Sequence, residues 1–184
     1  MPRQVFLYDE PERFIAGTVG QPGERAFYLQ AVNGPLSTAV LLEKEQVAIL
    51  AEKVVELIDG VRRDHPDLVG AANVPADNDP LRSPVDAEFR VQAMGVGFNQ
   101  ATGQIVFEAH AEADDSEWEV PELEEEVAEA PDVLRVRMTC DYALEFARRA
   151  AEVVAAGRPP CPLCHLPLDP AGHICPRANG YLRR

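Results

Sequence analysis

One order of patterns runs through this chain twice: three extended apolar stretches, then an amphipathic helix. In the first passage "RFIAGTVG" (13–20) is rich in β-branched residues and closes on Gly. "RAFYLQAVNG" (25–34) stops at Asn-Gly, and "STAVLLEK" (37–44) is a third strand candidate. "QPGE" between the first two is a turn signal. Residues 43–63 then place Val47, Leu50, Ala51, Val54, Leu57, Ile58 and Val61 at helical spacing, which predicts one buried face.

The second passage repeats the order. "FRVQAMGVGFN" (89–99), "QIVFEAHAEA" (104–113) and "DVLRVRMT" (132–139) are its strand candidates. "DYALEFARRAAEVVAAG" (141–157) follows, with Tyr142, Ala143, Phe146, Ala147, Ala150, Val153 and Val154 on one side. Thr139 or Asp141 can cap its start, and Gly157 can stop it. A further strand, "QVFLYD" (4–9), adds to a sheet edge.

These patterns predict an α+β fold. Pseudo-duplicated β-β-β-α units would form a mainly antiparallel sheet or half-barrel with two helices on one face. The expected division is a duplicated domain at 1–157 and a tail at 158–184. Within the domain, repeat one covers about 4–63, a linker 64–88, and repeat two 89–157 with an acidic insert at 112–132. The linker holds four prolines and several Asp and Asn residues, and it reads as a wandering connector.

Charge is concentrated in the insert. The formal net charge is −14, yet residues 112–132 hold eleven carboxylates and no base. Outside the insert, seventeen bases face twenty acids. An acidic chain is repelled by phosphate backbones, which disfavours nucleic-acid binding. No stretch approaches the ~20 apolar residues of a membrane span. The N-terminus lacks the apolar run of a secretory signal, so a cytoplasmic location is expected.

The tail crowds three cysteines and two histidines into positions 161–175, as "CPLCHLPLDPAGHIC". In a reducing compartment such clusters read as metal ligands before disulfides. Cys161 and Cys164 form a Cys-x-x-Cys turn. His173 and Cys175, one residue apart, leave the same side of an extended segment. Together they predict a zinc knuckle: one structural Zn2+ per chain, closed by Cys161, Cys164, His173 and Cys175. A redox pair would sit at a helix N-terminus, and this pair follows a helix end. A disulfide would leave Cys175 and both histidines unexplained. His165 adjoins Cys164 and is expected outside the metal set. Cys140 reads as a core residue.

The stretches "FARRAAEVVAAGRPPCPLCHLPLDPAGHICPRANGY" and "FLYDEPERFIAGTVGQPGERAFYLQA" resemble the actinobacterial domain of unknown function 3090 family. The resemblance spans nearly the whole chain. It implies no activity. It does imply association with a phosphate-related pathway, since members are encoded near a histidine-phosphatase-like and a lipid-kinase-like protein. The family has Gly after the second cysteine, where this chain has His165.

Two other constellations carry possible chemistry. Glu108, His110 and Glu112 alternate on one strand and share a face, which reads as a solvent face more readily than as an acid–base or metal-binding row. The acidic insert carries Trp118, the sole tryptophan. Trp118 with Glu124, Glu125 and Glu126 can form a docking motif for a basic partner surface. The stretch "PELEEEVAEAPD" (121–132), with Pro at its start, good helix formers and Pro131 as a stop, reads as an α-helical arm. Alternatively the insert is a solubilising, disordered segment, or Trp118 anchors it to the domain. The leading expectation is a zinc-binding cytoplasmic protein that binds a protein partner. The alternative is an enzyme acting on a phosphorylated substrate in a cleft between the repeats, with Arg90, Arg135 and Arg137 converging. Nucleic-acid binding through the tail ranks last.

Overall fold

The computed structural model describes residues 3–113, 119–127, 130–157, 161–164, 168, 175 and 177. Strands β1 (Val5–Asp9), β2 (Arg13–Val19), β3 (Ala26–Asn33) and β4 (Leu36–Leu42) lead into helix α1 (Lys44–Asp64). A 3-10 turn, Pro66–Leu68, opens the linker. Strands β5 (Ala87–Asn99), β6 (Gln104–Ala111) and β7 (Val133–Met138) lead into helix α2 (Cys140–Ala155).

The seven strands form one sheet in the order β1-β7-β6-β5-β4-β3-β2. Each half is an antiparallel meander, and the two parallel pairs are β4 with β5 and β1 with β7. The expected α+β class and the predicted elements are present. The halves share their order of elements but not their dimensions: β2 has 7 residues and β5 has 13.

The topology forces the sheet to curl. β1 and β2 lie at opposite ends of the strand order, yet only residues 10–12 join them. A flat sheet of this size would separate its edge strands by about 29 Å at ~4.8 Å per strand. Four Cα–Cα steps reach about 15 Å at most. The edges must therefore approach each other. Tyr8 of β1 is accordingly within hydrogen-bond reach of Thr38 of β4, 2.9 Å between hydroxyl oxygens.

The concave face holds the core. Neighbouring positions on it include Tyr8, Val136, Phe107 and Val96 across four strands. Phe14 of β2 stacks on Phe146 of α2 at 4.6 Å and lies 5.4 Å from Phe107. Each ring buried this way contributes about 1.5–3 kcal/mol. The predicted helical faces are the buried ones: Val47, Leu50, Ala51, Val54, Ile58 and Val61 in α1, and Ala143, Phe146, Ala147 and Ala150 in α2.

Of the two expected caps for α2, Thr139 is the one that forms, its Oγ1 accepting from the Tyr142 N–H at 3.2 Å. Asp141 instead turns to the linker and accepts from the N–H groups of Gly70 and Ala72 at 2.6 and 2.7 Å. Cys140 is buried in the core, as expected.

The linker does not wander. Arg13 of β2 grips Asp77 with two hydrogen bonds of 2.6 and 2.9 Å. Gln30 and the Arg82 backbone exchange hydrogen bonds of 2.9 and 2.7 Å. Leu81 covers Gly17 so closely that a Cβ there would lie 2.5 Å from Leu81 Cγ. Sequence composition marked this segment as irregular, but tethering side chains give it a fixed course, first along α2 and then past β2 to place Leu81 and Arg82 over the convex face.

Candidate metal centre and strap-covered face

Helix α2 delivers the chain to the cysteine cluster. Cys161 and Cys175 are buried and Cys164 is half-buried. Their three Sγ atoms lie within 4.8 Å of one another. All three are free thiols, and Cys161 Sγ is 3.8 Å from Cys175 Sγ. Thiolates on a tetrahedral zinc, at a Zn–S distance of about 2.3 Å, stand about 3.8 Å apart. A disulfide would require about 2.05 Å. The observed spacing excludes a disulfide and is compatible with a metal-ligand set.

The site is electrostatically prepared for thiolate. Backbone N–H groups of Cys164 and then Leu163 point at the Cys161 sulfur and bring its thiol down to about 6. Metal binding needs the deprotonated form. Arg177 donates to the Leu163 carbonyl at 3.1 Å. Three of the four expected ligands are therefore together and could hold a metal ion. His173, like His165, lies outside the described residues.

A second cluster lies on the convex face of β5, β6 and β7. Residues 119–127, within the acidic insert, form a strap across it, with a turn at Leu123–Glu124 rather than the helical arm the sequence suggests. Leu123 sits over Gly95 and Gly97, where a Cβ would lie 2.9 Å from Cδ2 and 2.5 Å from Cδ1 of Leu123 respectively. The Glu124 carboxylate accepts from Arg137 Nε at 2.6 Å and from Asn99 Nδ2 at 2.7 Å. Glu126 accepts from Arg135 at 2.7 Å. Arg3 donates to the carbonyls of Glu125 and Val127.

Beneath the strap, Glu108 and His110 have no solvent exposure and Arg135 retains 3%. The solvent-face expectation for this row fails for Glu108 and His110, which are fully buried, Glu108 with the strap's Glu124 N–H on its carboxylate; Glu112 is exposed. Burial alone would raise the Glu108 carboxyl. It is outweighed by His110, whose Nε2 lies 3.2 Å from Oε2, by the Glu124 N–H at 2.9 Å, and by Arg135 Nε at 2.5 Å. The balance holds Glu108 down at about 2.

The residues singled out from sequence thus fall into distinct places. Arg135 and Arg137 share the strap-covered face. Arg90 is elsewhere, paired with Glu43 at the start of α1. A groove of about 590 Å³ between α1 and α2 is lined by Ala51, Val55, Leu144, Ala147 and Val154, and none of those three arginines reaches it. Glu124 is committed to the sheet, Glu125 is exposed, and Glu126 is both paired and 73% exposed at its side chain. Trp118 lies outside the described residues. Sequence reasoning missed the anchoring role of Leu123, although the close Gly95 and Gly97 on one strand face signalled that something approaches there.

Among the described residues no helix is long and apolar enough to cross a membrane. Compared with known protein families, residues 6–175 match the one described as "Protein of unknown function (DUF3090)". No curated protein and no solved structure matches the chain.

Proposed function

The chain belongs to the DUF3090 family, and on that premise we propose that it is a cytoplasmic partner-binding protein whose tail is stapled by one structural Zn2+. The observation that carries the reading is the convergence of the Cys161, Cys164 and Cys175 sulfurs within 4.8 Å. His173 completes the set in this proposal. Four protein ligands leave no open position, so the metal supplies folding energy and activates no water. The tail at 158–184 is then a metal-held appendage of a duplicated domain at 1–157, a division supported by the repeated order of elements.

The proposed partner contact is the strap. Leu123 and Glu124 hold it to the sheet, while Glu119, Val120, Glu122 and Glu125 are exposed. A row of carboxylates fixed in place loses less entropy on binding than a free acidic chain, and it suits a basic protein surface. Trp118, next in sequence, would add an aromatic anchor.

Affinity capture from native extract tests this, using the full chain and one lacking residues 114–130. The captured partner, once purified, must bind the full chain directly, weaken as salt rises, and not bind the shortened chain. Binding that survives the deletion overturns the strap as the contact. For the staple, metal analysis is expected to find about one zinc per chain. A metal-free chain with unchanged stability overturns it.

A further inference from the structure

The insert is longer than its hairpin needs. The Ala111 N–H donates to the Asp132 carbonyl at 2.8 Å, so β6 and β7 already meet where the insert begins. Two to five residues ordinarily join such strands. The extra chain returns across the face of its own sheet and lies there as a peptide ligand would. A leucine fills a glycine-floored depression, and the two glutamates beyond it meet two arginines.

The sheet also keeps counter-charges of its own. Arg135 stays on Glu108 at 2.5 Å, and Arg137 lies 3.7 Å from Asp9. Lifting the strap therefore strands neither arginine as an isolated buried charge, the condition that would lock it down. The strap's carboxylates are second partners to both arginines, and second partners can be exchanged for others of the same chemistry.

We propose that the convex face of β5–β7 is a binding site for an acidic, leucine-bearing segment of another protein, and that residues 119–127 occupy it in cis until displaced. The site reads a Leu-Glu-x-Glu core: leucine over Gly95 and Gly97, the first glutamate on Arg137 and Asn99, the second on Arg135. The proposal deepens the partner-binding reading and rests on it in one respect, that this face is where partners are met. Displacement would free Glu124 and Glu126 from their arginines and present them, with the rest of the strap, to a basic surface.

The test uses the full chain and a fluorescent peptide with the sequence of residues 119–127. The double substitution Leu123→Asp with Glu124→Lys ejects the strap and leaves every sheet residue in place. This variant is expected to bind the peptide about tenfold tighter than the unaltered chain. Adding Arg137→Glu, or replacing the peptide's leucine by aspartate, is expected to abolish that gain. A folded double variant that binds no tighter than the unaltered chain overturns the proposal.

Hydrogen exchange on the unaltered chain decides the matter even if the variant fails to fold. The Glu124 N–H, held by Glu108 when the strap is down, is expected to exchange about tenfold or more faster than the Phe107 and Val136 amides, because the strap opens without the sheet. Equal protection would mean that the strap lifts only on global unfolding, and would overturn the proposal. Failure of extract capture with success of the peptide assay would reject the basic-partner contact and leave this site standing.

Discussion

Arg149 of α2 donates from Nε to the carbonyl oxygen of Ala16 on β2 at 2.9 Å. Earlier on the same strand, the Phe14 N–H donates to the Tyr142 hydroxyl at 2.8 Å. Helix side chains thus take the place of a missing strand on the free edge of β2, which would otherwise be open to pairing with another chain. Arg149 also donates to the carbonyls of Asp77 and Asp79, clamping the linker. Arg149→Ala leaves these carbonyls without their donor, while Asp77 keeps Arg13, and is expected to cost about 1–3 kcal/mol. Urea unfolding measures it, and a loss under about 1 kcal/mol would reject the clamp. Arg149→Lys, which lacks the planar fork, is expected to recover only part.

Acid stability should report on Glu108. Its folded value, about 2, lies below the ordinary 4.5. The unfolded chain therefore binds the extra proton between those values, and stability falls as pH drops through that window. The contribution is fully present above about pH 5 and is on the order of 3 kcal/mol. Glu108→Gln removes the titration. Its unfolding free energy is expected to be lower at pH 7 and flatter between pH 5 and 2 than that of the unaltered chain. Parallel pH profiles would reject the assignment.

Two glycines should separate the two covering segments. Gly97→Val drives a side chain into Leu123, and Gly17→Val drives one into Leu81. Each is expected to cost about 1–3 kcal/mol through overpacking. Limited proteolysis should then cut the first variant within 119–127 and the second within 77–82. Cleavage at the same places in both would show that the segments are not independently seated.

The thiols divide in the same way. If the proposed zinc is held there, Cys161→Ser and Cys175→Ser are expected to lose it and lower the melting temperature. Cys140→Ser, buried at the start of α2, is expected to lose about 1–3 kcal/mol by placing a hydroxyl in the core while keeping the metal. Zinc content by atomic spectroscopy, set beside thermal melts, checks both. Zinc retained in full by Cys175→Ser would remove that residue from the ligand set.

Among the described residues, periodicity was enough to place both α-helices and the seven strands, since 3.6- and 2-residue repeats are properties of the local backbone that a side-chain pattern must match. It put Val47 through Val61 on one buried face, while residue type offered Thr139 or Asp141 as the cap and the structure uses Thr139. Spacing was likewise enough to bring Cys161, Cys164 and Cys175 to one point, because the turn and the sulfur geometry leave little freedom. The fate of Glu108 and His110 was of another kind. Alternation on β6 assigns them a common face but carries no information on what covers it. Over Glu108 the strap brings the Glu124 N–H, and Glu124 is held by Arg137 from β7 and Asn99 from β5. The same holds for Leu81 over Gly17, and for the nearness of β1 and β2, which follows only from the strand order. Which face is buried, and which charges are paired, depends on contacts between residues distant in the chain, and these exist only once the sheet has curled and its two long connections have folded back upon it.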